Sequence, residues 1–351
     1  MRKEGEILRQ TSTLIEANRK KRGVICAALL LLVLSMMVAV ALGNLMIPLK
    51  DVVFVFGAKL GVRKTIDDLF ASVIWEIRFP RVCLAAVAGA MLSVAGTAFQ
   101  GVFRNPLVEP YILGVSSGAA CGAAIAIVYL GGLVSVSLMS FAFSVLAMAL
   151  SYGVATKSGR TPLVNLVLAG SVIASVFSAA LNLVKTFASD SKLREISFWL
   201  MGGFYTAKWS DVFFLGGCGA VAMGILWGLG WKLNVLSMGD QEATSLGVRV
   251  GLLKLTAIGV ATFATASTVS TVGIVSWVGL MIPHASRMLM GADHRYLIPF
   301  SACLGGLFMV VCDTIARTVI MGEIPVSIVT SILGAPYLIY LLRSNRQVGM
   351  T

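Results

Sequence analysis

"VICAALLLLVLSMMVAVALGNLMI", residues 24–47, runs its whole length without a single charge. A hydrocarbon core of about 30 Å is crossed by about 20 apolar residues in a helix. The stretch therefore reads as a membrane helix. Arg19, Lys20, Lys21 and Arg22 stand just before it, and "AVA" at 39–41 resembles a signal-peptidase site. An export signal has a shorter apolar region, about 7–15 residues. The expectation is a retained first helix.

Similar runs follow near 82–103, 111–130, 133–155, 163–185, 212–230, 252–272 and 326–342. The stretch 273–316 holds two more, shorter ones, split near Asp293–His294. Together they predict an all-α, polytopic membrane protein of about ten transmembrane helices. The composition agrees: 58% of residues are hydrophobic and 13% charged, against roughly 45–50% and 25% in soluble domains. The organisation expected is a cytoplasmic tail over 1–23, a single transmembrane domain over 24–343 with a cytoplasmic loop at 231–251, and a second cytoplasmic tail over 344–351. Most of the 28 Lys and Arg residues fall on the side of the N-terminal tail. That bias places both termini in the cytoplasm of a multi-pass protein of the cell (cytoplasmic) membrane.

The formal charge of +12 does not point to nucleic acid, because the basic residues are scattered in short loops and the N-terminal tail. No basic stripe interleaved with aromatics is present, and membrane topology accounts for the charge. The six cysteines lie in or beside apolar segments without CxxC spacing, as buried thiols do.

The sequence holds no G-x-x-x-x-G-K-[ST], and "GAKLGVRKT" at 57–65 has the wrong spacing for a phosphate cradle. A transport engine built on this chain must take its energy from another subunit or from an ion gradient. Ion-coupled carriers keep ionisable groups within the membrane. The main candidate is Asp313, near a helix end and four residues before Arg317. His284 and His294, ten residues apart, do not share a helix face as metal ligands would. They read as helix-end residues, and no metal or cofactor is expected. No paired nucleophile and base points to an enzyme.

Three elements carry more information. Gly114, Gly118 and Gly122 form GxxxGxxxG, a face that lets another backbone approach closely, inside one subunit or at a dimer seam. "SMGDQEATSLG" at 237–247 offers Ser237 and Asp240 as a capping-box-like start and Gly247 as a left-handed stop. That predicts a helix of about two turns in the polar loop. "RNPLVEP" at 104–110 places two prolines between apolar runs, and each disfavours helix at the residue before it. An irregular turn results, and irregular backbone at membrane depth survives only where it is buried in protein or lines a cavity.

"IRFPR", "FRNPLVEPYILGVSSGAA", "WLMGGF", "MGDQEATSLGV", "VSWVGLMIPHASRMLMGADHR", "DTIAR" and "EIPVSIVTSILGAPYLIYLL" follow one another from about residue 70 to 342. Their order and spacing resemble the membrane permeases of iron-chelate (siderophore or haem) and cobalamin ABC importers. The resemblance implies a ten-helix subunit that pairs with a second permease subunit, identical or not, around a central pathway. It further implies two cytoplasmic ATPase subunits, an extracytoplasmic substrate-binding protein and a metal-chelate substrate. A ferric siderophore is the first expectation, with haem or cobalamin as alternatives. A secondary carrier coupled to an ion gradient is the reading from another class.

By the same resemblance, Arg78, Arg81 and Arg317 would pair with carboxylates of the binding protein, where lipid phosphates are the competing partners. Gly239, Asp240, Glu242, Ala243, Leu246 and Gly247 would couple to the ATPase. Asn105, Pro106 and Leu107 would form an inner gate. A second family gate falls near Thr161–Asn165, where "TPLVN" departs from the family's Ser/Thr pair and leaves that gate unassigned.

Overall fold

A computed structural model describes residues 2–43, 46–59, 68–156, 161–319 and 322–343. The expected tail over 344–351 and most of "GAKLGVRKT" lie outside the described residues. Every element described is helical.

The first helix, α1 (Arg2–Ala41), continues unbroken through the segment expected as a separate tail. A short α2 (Leu49–Lys59) and α3 (Asp68–Ser72) follow, and a wide π-turn at Val73–Arg78 leads into α4 (Phe79–Phe103). A tight turn over Pro110–Leu113 precedes α5 (Val115–Ile125), α6 (Val136–Ala155) and α7 (Leu163–Thr186). Next come α8 (Asp190–Met201), α9 (Trp209–Gly228), α10 (Gly230–Met238) and α11 (Asp240–Ser245). The chain closes with α12 (Val250–Val272), α13 (Val278–Met290), α14 (His294–Thr318) and α15 (Val326–Arg343).

Among the described residues, seven helical segments are long and apolar enough to cross a membrane, and Val115–Leu130 and Val326–Tyr340 are shorter apolar helices. The stretch 273–316 holds two helices split near Asp293–His294 as expected, but only the first is short. It holds one full-length helix, α14, and the 13-residue α13. Gly273 (φ +76) ends α12, and the chain runs non-helical to Trp277, whose φ of +74 is unusual for a side chain of that bulk. The non-helical backbone of this segment is covered by protein: Val275 is buried, and its carbonyl accepts from the Tyr111 hydroxyl at 2.8 Å. This is the protected setting that irregular backbone at membrane depth requires.

The bundle is organised around α4, buried along nearly its whole length. Helices in lipid gain little from hydrophobic burial against one another, so close packing of small residues must hold them. Gly89 and Gly96, seven residues apart, share one face of α4. A Cβ added at Gly89 would strike the Gly305 carbonyl of α14, and one at Gly96 the Gly279 carbonyl of α13. Backbone cannot yield as a side-chain tip can. Gly96→Val is therefore expected to cost about 3 kcal/mol, the upper end for overpacking, and to lower the detergent melting temperature. Gly153→Val, with nothing within 4 Å of the added atom, should change stability by less than about 0.5 kcal/mol.

The GxxxGxxxG stretch is not one continuous helix face. Gly114 is a left-handed cap (φ +77) whose added Cβ would meet α7 at Ala174 and Gly170. Gly118 and Gly122 lie on α5, and side chains there would strike the Phe143 and Met139 carbonyls of α6. All three contacts are within one chain.

Candidate functional site

Two polar clusters sit at opposite ends of the bundle. The first gathers where α4 begins and α1 and α14 finish. The last carbonyls of a helix lack partners within it and attract cations. Those of α1 find them here. Arg78 donates through Nη1 to the Val40 and Ala41 carbonyls at 3.0 and 3.1 Å. Arg317 donates to the Leu42 carbonyl at 2.7 Å and also to that of Ala39. The "AVA" resembling a cleavage site is thus buried at the C-terminus of α1 and held by two arginines.

Arg81 completes the cluster. Its Nε and Nη2 grip Asp313 Oδ1 at 3.0 and 2.8 Å, and Nη1 donates to Glu323 Oε1 at 2.8 Å. Arg317 Nε lies 3.6 Å from Asp313 Oδ2. The Asp313 side chain is 1% exposed and flanked by two cations, whereas Glu323 is 45% exposed. Beside them Trp75, Phe79 and Trp209 form an aromatic cluster with centroids 5.3–5.5 Å apart, and the Trp209 indole donates to the Trp75 carbonyl at 3.0 Å. Such rings suit the level where lipid meets water.

The second cluster lies where α4 ends and α11 begins. Arg104 takes the left-handed conformation (φ +51) and ends α4. The Asn105 side chain accepts from the Leu107 amide at 2.9 Å, closing an Asx turn over Pro106. Leu107 is left 52% exposed. In the same turn, burial pushes the Glu109 carboxyl above its ordinary range. Arg104 Nη2 reaches Asp240 Oδ1 at 3.3 Å, and Lys254 Nζ from α12 reaches Asp240 Oδ2 at 2.5 Å.

The expected start of α11 is corrected. Ser237 belongs to α10, where its hydroxyl donates to the Asn234 carbonyl, so it cannot cap α11. Gly239 (φ +141) is the cap, and the Glu242 carboxylate lies over it. The stop is as expected. Gly247 has φ +80, Val248 N donates to the Ala243 carbonyl and Gly247 N to that of Thr244, both at 2.9 Å. The helix is six residues long, shorter than two turns. Ala243 is its buried anchor, while Leu246 stands 56% exposed.

Close by, Asn234 joins α10 to the start of α14. Its amide donates to Asp293 Oδ1 at 2.6 Å, and its oxygen accepts from the His294 amide at 2.8 Å. Burial alone would raise the Asp293 carboxyl, but hydrogen bonds from Arg295 and Asn234 prevail and hold it at about 2. A depressed carboxylate stabilises the fold above its unfolded value near 4 and loses that contribution as pH falls through about 2. Asp293→Asn is therefore expected to lower the melting temperature equally from pH 5 to 8. In thermal melts the gap should close below about pH 4.

Residues 30–344 match a family model described as the FecCD transport family. The chain belongs to that family. It is 35% identical over 322 residues to the molybdate import system permease protein MolB of Haemophilus influenzae, covering 92% of this chain and 95% of that one. It is 38% identical over 309 residues to the cobalamin import system permease protein BtuC of Halobacterium salinarum, covering 88% and 82%. Other relatives are named for hemin and iron(3+)-hydroxamate import. A solved metal-chelate-type ABC transporter in an inward-facing conformation superposes with a TM-score of 0.81 at 35% identity, covering 92% of this chain and 98% of that one. The chain is thus an ABC-importer permease and a multi-pass membrane protein.

Of the residues singled out from the permease's sequence, Arg78, Arg81 and Arg317 meet at one end. Asp240 and the Asn105 turn are joined at the other through Arg104. Pro106 and Leu107 line a narrow cleft with Trp277, His284 and Tyr337. His284 and His294 lie on different helices; His284 Nδ1 meets the Tyr337 hydroxyl at 3.2 Å, and His294 starts α14. Thr161 borders a groove of about 1000 Å³ that also touches Arg104, Asp240 and Lys254. Sequence reasoning missed Glu323, Lys254 and Asn234. Lys254 had a signal, a lone charge in the first turns of an apolar run.

Proposed function

We propose that this chain is one half of the membrane pathway of an ATP-driven importer that carries a metal complex, a ferric siderophore first among them, into the cytoplasm. The observation that carries the reading is the paired ends: a projecting helical element at one end and an arginine–carboxylate cluster at the other. The α11 end is cytoplasmic in this reading, because the basic N-terminal segment lies on the same side, and both termini face the cytoplasm. Leu246 and Gly247 then meet one of two ATPase subunits, anchored through Ala243. Gly239, Asp240 and Glu242 shape the base of that element.

The opposite end receives the binding protein. Arg78 and Arg317 are engaged with α1 carbonyls and act there mainly as scaffold. Arg81 carries the exchangeable contact, since among the described residues its Nη1 is held by the half-exposed Glu323 alone. A carboxylate of the binding protein can take that place, with the bidentate geometry arginine favours.

A second permease subunit faces α7 across the pathway. Ser171, Ser175 and Asn182 are exposed along one stripe of this helix. Polar groups facing hydrocarbon are costly, whereas a water-filled pathway between two copies accepts them. Asn105, Pro106 and Leu107 close its inner mouth. The ion-coupled alternative loses support, because Asp313 is bound by Arg81 and flanked by Arg317.

Haem and cobalamin remain the alternative cargoes. The relative named for molybdate import widens the class to metal oxyanions. Uptake into proteoliposomes holding the permease with its ATPase and binding protein tests the reading with each radiolabelled metal complex in turn. One complex should accumulate only with ATP. Accumulation of none would overturn the assignment to import.

A further inference from the structure

Asp240 is shared between two cations on different elements, and the two bonds are unequal. Lys254 Nζ lies 2.5 Å from Oδ2 with its side chain 9% exposed, whereas the Asp240 side chain is 46% exposed. Arg104 Nη2 lies 3.3 Å from Oδ1 with its side chain 35% exposed. The first bond is the anchor of the two, because it is the shorter and its cation is the more enclosed. The second is the kind of half-exposed pair that forms and breaks at little cost.

The position of Arg104 gives that second bond its meaning. It caps α4 just before the Asn105–Leu107 turn, held in a left-handed conformation that residues with a side chain adopt at a cost of about 1 kcal/mol. Beside the pair opens the groove of about 1000 Å³ lined by Phe103, Tyr152, Thr156 and Leu163. The guanidinium can swing into it without displacing packed atoms.

We propose that Arg104 and Lys254 are positioning residues that tie the ATPase-docking helix to the inner gate through their common carboxylate, Asp240. Lys254 fixes Asp240 to the base of α12. Arg104 reports the position of α11 to the turn that carries Leu107. A shift of α11 breaks the Arg104–Asp240 bond and frees the turn; its return restores the arrangement with the bond formed. This inference rests on the reading of α11 as the docking element and of residues 105–107 as the gate.

The test uses the complete importer, with permease, ATPase and binding protein in proteoliposomes, and measures ATP hydrolysed per substrate carried. Arg104→Gln is expected to raise that ratio by about fivefold, the bias a half-exposed pair can supply, while the ATPase stays bound during purification. Arg104→Lys should restore most of the coupling. Asp240→Asn should also uncouple, and the Arg104→Gln, Asp240→Asn double variant should be no worse than Asp240→Asn alone, since that change already removes the bond that Arg104→Gln removes. An unchanged ratio in Arg104→Gln, or single effects that multiply in the double variant, overturns the inference. So does failure of Arg104→Gln to assemble, because a half-exposed pair is not needed for the fold. Absence of ATP-driven uptake by the unaltered importer would instead overturn the functional reading beneath it.

Discussion

A Leu246→Asp, Gly247→Arg double variant should retain less than about one-hundredth of the ATP-driven uptake of the unaltered importer, and its binding-protein-stimulated ATPase activity should vanish with it. Both side chains would point away from the bundle. Leu246 is 56% exposed, and nothing lies within 4 Å of a Cβ added at Gly247. The fold of the permease is not at risk, since the buried anchor Ala243 is untouched. Arginine at φ +80 strains the stop of α11 by about 1–2 kcal/mol, a local cost on a helix that is short to begin with. What is lost is an apolar contact at the tip and the shape of the turn that presents it. Copurification with the ATPase measures the effect directly. Stimulated hydrolysis at ordinary rates would mean that the motor grips another surface.

At the other end, Arg81→Glu should prevent the permease from accumulating as a folded protein. The change sets three carboxylates, Glu at 81 with Asp313 and Glu323, around one buried point, where Asp313 is 1% exposed. Removing one partner of a buried pair costs about 3–5 kcal/mol, and reversing its charge costs more. Fluorescence-detected size exclusion should show loss of the monodisperse species. Glu323→Gln separates docking from folding. It frees Arg81 Nη1 without disturbing Asp313, and should tighten binding-protein affinity by about threefold in a pull-down titration. Weaker binding in that variant would show that Glu323 itself is part of the docking face.

Much of this architecture was legible because lipid imposes a blunt rule. A helix that crosses must be long and apolar, and six of the seven such segments among the described residues lie where the full-length apolar runs predict them. The short α13 was expected, but its start was not legible, because it is set by two positive-φ residues, Gly273 and Trp277, and tryptophan gives no warning of that conformation. The start of α11 was misplaced by a register effect. Ser237 has the chemistry of a cap, but α10 runs through it, and Gly239 took the role. The ion pairs were beyond local reasoning altogether. Arg81 and Asp313 are 232 residues apart, and Arg104 and Asp240 are 136 apart. Only the packing of α4 against α14, through glycines that read as ordinary membrane composition, brings the first pair together.

The central claim, that this bundle moves nothing without a motor on one face and a carrier on the other, is tested most directly by uptake into vesicles containing the permease alone. With an imposed proton or sodium gradient and no ATPase or binding protein, no metal complex should enter above the rate of empty vesicles, whereas adding both companions and ATP should start uptake. Gradient-driven uptake by the permease alone would contradict the account.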